Sequence, residues 1–90
     1  NIDAVFAQND EMALGALKAL QDANINNVLV VGFDATDDAV SSVSKGEMAA
    51  TIAQQPILIG EKAVDLANRY LSGEKVETFA PVELKLIEKK

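Results

Sequence analysis

Along the chain, apolar positions switch between short unbroken runs and a helical repeat, with a few polar residues at each switch. Ala4-Val5-Phe6-Ala7 is a run of the first kind and reads as a buried strand. From Glu11 the period changes: Met12, Ala16 and Leu20, with Ala13 and Leu17, recur at helical spacing, while Lys18 and Gln21 face out. Val28-Leu29-Val30-Val31-Gly32-Phe33 is the strongest strand signal, apolar on both faces like a central strand of a parallel sheet. Val40 and Val43 form a narrow stripe on a second helix, and Met48–Ala53 is a third strand. Ile59, Ala63, Leu66 and Tyr70 share one face of a third helix. After a loop over Glu74–Pro81, Val82, Leu84 and Leu86 alternate with Glu83 and Lys85, as on a half-exposed edge strand. The order β-α-β-α-β-α-β predicts a parallel α/β sheet with right-handed crossovers and helices on both faces.

Start and stop signals agree with these elements. Asp10 is the expected N-cap of the first helix and Asn24 its stop, because Asn tolerates the left-handed conformation. Thr36 is placed to cap the second helix, with Asp37 and Asp38 in its first turn and Lys45-Gly46 at its end. Pro56 fits the first turn of the third helix, where a missing N–H costs nothing, and Ser72-Gly73 closes it.

Asn9, Asp34 and Gln54 are each the first or second polar residue after a strand. In open α/β sheets, ligands bind beyond the carboxyl ends of the strands. In a parallel sheet these three side chains share one edge. An ionised Asp only accepts hydrogen bonds, whereas Asn and Gln each offer an acceptor and a two-proton donor. Such a set suits a polar ligand whose groups both donate and accept, hydroxyls above all. Each residue also has a local account. Capping and binding explain Asn9 equally well, and a turn role is the better account of Asp34 alone. Gln54 is a poor cap, and Pro56 already starts the helix.

Composition narrows the field. With 90 residues, 49% of them hydrophobic and 24% charged, the chain is one small globular domain. It begins at Asn1 almost directly in a strand and carries no signal peptide, so it reads as a piece of a longer protein. No apolar run approaches the roughly 20 residues that span a bilayer. A net charge of −6 with scattered Lys and Arg argues against nucleic acid as a partner. Without cysteine or histidine, thiol catalysis, thiolate zinc sites and His acid–base chemistry are excluded. There is no glycine-rich phosphate loop and no catalytic dyad or triad, so no enzymatic activity and no cofactor are expected. Asp34, Asp37 and Asp38 form an acidic cluster, but Asp37 and Asp38 are more simply first-turn helix residues. Phe6 and Phe33 are expected in the core.

Three motifs carry a family resemblance. Ala4–Gly15 (AVFAQNDEMALG), Val30–Asp34 (VVGFD) and Ala50–Pro56 (ATIAQQP) resemble the closing third of ribose-binding proteins, the periplasmic sugar-binding proteins of ABC transporters. The likeness runs from about Ile2 to the end, through GEKV at Gly73–Val76 and PVELKLI at Pro81–Ile87. FAQNDEMALGAL alone is less specific, because the sugar-sensing cores of LacI-type repressors have a similar stretch. Those repressors tend to follow GFDD with a proline and an L-T-T-V-type segment, where this chain has Thr51-Ile52-Ala53-Gln54-Gln55-Pro56. Ala35, where Gly is common, and Gln55, beside Gln54, are mild departures.

The resemblance implies a Rossmann-like three-layer (α/β/α) lobe of a periplasmic-binding-protein fold, incomplete in this chain, in a protein whose two lobes close over one sugar. Asn9, Asp34 and Gln54 match the positions from which ribose binders hydrogen-bond sugar hydroxyls. By analogy, residues 1–55 form a β-α-β-α-β segment of the C-terminal lobe, residues 56–80 pack on the other, missing lobe, and residues 81–90 return as a strand and tail. The implied partners are a ribose-like monosaccharide, the permease subunits of an ABC transporter and the N-terminal lobe. The implied location is the periplasm, or the cell surface as a lipoprotein in a Gram-positive source. The alternative is the effector core of a LacI-type repressor; a flavodoxin-like enzyme or phosphoacceptor using Asp34 ranks below both. Alone, the chain is expected to leave the Ile59/Leu66 face uncovered and to be unstable or self-associating.

Overall fold

The computed structural model describes residues 1–90. The elements, in order, are β1 (Ala4–Phe6), α1 (Asp10–Asp22), β2 (Leu29–Phe33), α2 (Asp37–Ser44), β3 (Ala50–Ala53), α3 (Pro56–Leu71) and β4 (Lys85–Glu88). They fall into two compact units, residues 1–53 with 85–90, and residues 54–84.

The first unit is a four-stranded sheet of order β1-β2-β3-β4. Strands β1, β2 and β3 are parallel neighbours, with Val5 opposite Val30 and Gly32 opposite Thr51. The fourth strand departs from the all-parallel expectation, pairing antiparallel to β3 with Thr51 opposite Ile87. It also begins at Lys85, later than the alternation from Val82 suggests. Alternating hydrophobicity marks an edge strand but carries no direction, so only the partner decides its sense.

Register assigns the faces. Because strand side chains alternate, Val5, Val30, Gly32, Thr51 and Ile87 lie on one face, and Phe6, Leu29, Val31, Phe33, Ile52 and Leu86 on the other. Both α1 and α2 cover the first face. Ala13 of α1 and Ala39 and Val43 of α2 share one buried cluster with Val30, Ala7 and Met48, and Leu14, Leu17 and Leu20 pack against it. One expectation changes as a result. The core stripe of α1 runs through Ala13, Leu14, Leu17 and Leu20, while Met12 is more than half exposed. Both helices of this unit lie on that face of the sheet. On the opposite face Phe6 is 59% exposed, not in the core.

Local signals end the helices as expected. Thr36 Oγ1 accepts the Ala39 N–H at 3.4 Å, and Lys45 is the C-cap of α2, ahead of Gly46 at φ 80°. Ala23 closes α1, and Asn24 follows in the left-handed region at φ 58°.

The second unit is α3 and the segment that runs back along it. Pro56 starts the helix, Ser72 caps its end and Gly73 follows at φ 90°. Lys62 Nζ donates to the Pro81 carbonyl at 3.1 Å and Gln55 Nε2 to that of Glu83 at 2.9 Å. No residue of α3 is buried.

Candidate functional site

The turn from β1 into α1 has only three residues, Ala7, Gln8 and Asn9. Asn9 is extended at φ −150° and ψ 169°, and its Oδ1 accepts the Met12 N–H at 2.9 Å. Asn9 is therefore the N-cap, the role expected of Asp10. The cap occupies Oδ1 and takes nothing from the Nδ2 amino group, whose two donors remain for other work. At the carboxyl end of β1, half-buried Asn9 thus presents donors.

Asp10, the first residue of the helix, turns inward and is 1% exposed. Its Oδ2 accepts the Thr36 N–H at 2.7 Å, and its Oδ1 accepts the Thr51 hydroxyl at 2.7 Å. A carboxylate buried this deeply is tolerable only when hydrogen-bonded, and both oxygens are. No buried side-chain polar atom of the chain lacks a partner. Two signals in the sequence point to this arrangement. Thr51 interrupts the apolar strand Ala50–Ala53, and Gly32 interrupts the apolar run of β2 opposite it. A Cβ on Gly32 would collide with Asp10 Oδ1 and stand 3.0 Å from Met48 Cε and 3.1 Å from Ala13 Cβ. The missing side chain is the space the carboxylate fills.

Asp34 follows the end of β2, exposed to solvent. Its backbone sits at φ 115°, and the next residue, Ala35, at φ 55°. Two consecutive non-glycine residues in this region carry real strain, on the order of 1–2 kcal/mol for a left-handed residue such as Ala35. The backbone donors of the loop are bonded against it. Asp34 N donates to the Ile52 carbonyl at 2.7 Å, Ala35 N to Thr51 Oγ1 at 3.1 Å, and Thr36 N to Asp10. The turn expected at Asp34 is present in its backbone conformation.

Parallel pairing of β1 with β2 puts Asn9 and Asp34 beyond the carboxyl ends of neighbouring strands, at the same edge of the sheet. Gln54 follows Ala53, the last residue of β3, and is exposed; it opens the second unit. Its neighbour Gln55 has a distinct task, since its side chain bonds the Glu83 carbonyl and gives α3 no side-chain cap. The acidic cluster resolves toward its simpler account. Asp37 and Asp38 occupy the first turn of α2, and no group of His, Cys, Asp or Glu is arranged to hold a metal ion.

Comparison with known proteins agrees with this architecture. The periplasmic binding protein domain matches residues 1–75. The chain is 61% identical over 87 residues to the ribose import binding protein of Haemophilus influenzae, and 57% over 89 residues to that of Escherichia coli. Those matches take in 97% and 99% of this chain but 30% of each relative, so the chain spans about a third of the length of the curated relatives it matches. Among solved structures, a solute-binding protein of Actinobacillus succinogenes with bound D-allose superposes with a TM-score of 0.84 at 32% identity, covering 99% of this chain and 32% of that one. A glucose-galactose binding protein of Geobacillus stearothermophilus gives 0.87 at 26% identity, over 96% and 31%. With five-sixths of its residues inside the family match and its sheet superposing on sugar-binding relatives, this chain belongs to the periplasmic binding protein domain family.

Proposed function

We propose that the chain supplies one side of a sugar-binding cleft, in a solute-binding protein that captures ribose or a similar monosaccharide and delivers it to an ABC permease. The observation that carries this is the placement of Asn9 and Asp34 beyond the carboxyl ends of neighbouring parallel strands, the one an amide and the other a carboxylate. Vicinal hydroxyls of a sugar both donate and accept, so they can satisfy the two together. Gln54, at the end of the next parallel strand, is the third finger. The high identity to ribose import binding proteins favours transport over the repressor alternative and over an enzyme.

In this proposal residues 1–55 belong to the C-terminal lobe, residues 56–80 pack on the lobe this chain lacks, and residues 81–90 return to the first. The apolar residues of α3, with Ile59 exposed and Leu66 half-buried, are then a face awaiting that lobe. The isolated chain should self-associate through it or unfold easily. Binding works by closure. The sugar bonds both lobes only when they are shut, so its differential affinity moves the population to the closed form, which the permease reads. The protein acts in the periplasm, or outside the cell as a lipoprotein if its source is Gram-positive.

Calorimetry with D-ribose on the full-length protein tests the assignment. Asp34→Ala removes a charged acceptor from buried hydroxyls and should weaken affinity by about 10- to 100-fold. Unchanged affinity in that variant would sink the proposal.

A further inference from the structure

We infer that Asp10 and Thr51, which stand behind the strand ends, are positioning residues that tune sugar affinity by holding Asp34 in place. This rests on the sugar-binding reading of Asp34 and adds to it two residues beyond the binding set. The chain leaving β2 must reverse within Asp34, Ala35 and Thr36, and it does so through two consecutive positive φ angles at non-glycine residues. Asp34 tolerates a turn conformation, but Ala35, the second of the two, does not favour it. Two bonds that hold it end on side chains, Thr51 Oγ1 for the Ala35 N–H and Asp10 Oδ2 for the Thr36 N–H.

The two side chains act as one device. The Thr51 hydroxyl accepts from the Ala35 N–H and donates to Asp10 Oδ1, so each bond polarises the next at two buried side chains. Asp10 is also the residue after Asn9, at the start of α1. One carboxylate therefore ties the helix start that carries Asn9 to the loop that carries Asp34. Both fingers stand at fixed positions before a sugar arrives, which removes the ordering entropy that binding would otherwise have to overcome.

The experiment crosses stability with affinity in the full-length protein, using D-ribose calorimetry and urea unfolding. Thr51→Val keeps the volume and loses the hydroxyl. Thr51→Ser keeps the hydroxyl and loses a buried methyl. The inference requires Thr51→Val to weaken ribose binding by about tenfold, as for a lost buried hydrogen bond, and Thr51→Ser to bind within about twofold of the parent despite its lower stability. In an Asp34→Ala background, measured at millimolar sugar, Thr51→Val should then weaken binding by less than about twofold, because there is no carboxylate left to position. Equal penalties in both backgrounds, or affinity that follows stability across the Val and Ser variants, would overturn it. Asp10→Asn provides an independent check should Thr51→Val not fold, and must weaken binding several-fold through the same Asp34-dependent route. If Asp34→Ala alone binds normally, the sugar reading fails and takes this inference with it. If Asp34→Ala binds weakly while Thr51→Val binds normally, only the positioning role fails.

Discussion

The two units hold helices of similar amphipathic character, and they differ in what those helices find. In residues 1–53 with 85–90, α1 and α2 lie on a sheet, and Ala13, Ala39, Val43, Val30 and Met48 close a small dry core around a hydrogen-bonded carboxylate. In residues 54–84, the longest helix of the chain buries no residue at all, and Leu71 is 84% exposed. Its remaining support is polar: two backbone carbonyls gripped by Lys62 and Gln55, and solvent-exposed ion pairs from Arg69 to Asp65 at 3.6 Å and Glu74 at 3.9 Å. Exposed pairs of this kind contribute well under about 1 kcal/mol. An apolar stripe thus secures a helix only where its own unit provides a surface to meet it. An isolated helix of this length is marginal in water.

The sharpest way to break this contrast is one substitution made in both units. Gly32→Ala in β2 drives a methyl into Asp10, Met48 and Ala13, all of them fixed by packing or hydrogen bonds. It should destabilise the first unit by about 3 kcal/mol or more, enough to unfold much of a domain this small. Gly60→Ala, inside α3, meets nothing within 4 Å and should stabilise the helix by about 0.5–1 kcal/mol. Circular dichroism and urea titration of the 90-residue chain measure both, and effects of the same sign would erase the distinction.

Hydrogen exchange gives a smaller but residue-resolved difference. Amides of α1 and β2 should exchange at least about 100-fold more slowly than those of α3, since local opening is cheap where few apolar contacts are lost. Equal protection of α3 would mean that it is held by its own surroundings after all.

The smallest effect separates two roles of one side chain. Asn9→Asp keeps the oxygen that caps α1 and adds charge at the positive end of the helix, so stability should stay within about 0.5 kcal/mol, whereas Asn9→Ala should cost about 1 kcal/mol. Only the amide donors are lost in Asn9→Asp, and sugar affinity of the full-length protein should fall even though stability does not. Parallel changes in both quantities would show that Asn9 serves the fold alone.

Much of this was legible as pattern. Strand and helix identities, Thr36 as a cap, Pro56 as a helix start and Gly46 as a stop all follow from side-chain chemistry within a few residues. The motifs around Asn9, Asp34 and Gln54 were enough to suggest the family. Three features were not legible, and each depends on distant partners. Asp10 and Asn9 are both good caps by type; what decides between them is Thr51, 41 residues further along, which takes the Asp10 carboxylate inward. The antiparallel sense of β4 depends on β3, and the placement of both helices on one face depends on register, which pairs Gly32 with Thr51.

Sequence by itself therefore determined which segments are strands and helices and which polar residues stand at their ends, because those properties arise from local backbone preference and hydrophobic period. Tertiary structure alone decided which of two adjacent polar residues caps the helix and which is buried behind it. A buried carboxylate must have its hydrogen bonds, and for Asp10 they come from α2's cap residue and from β3.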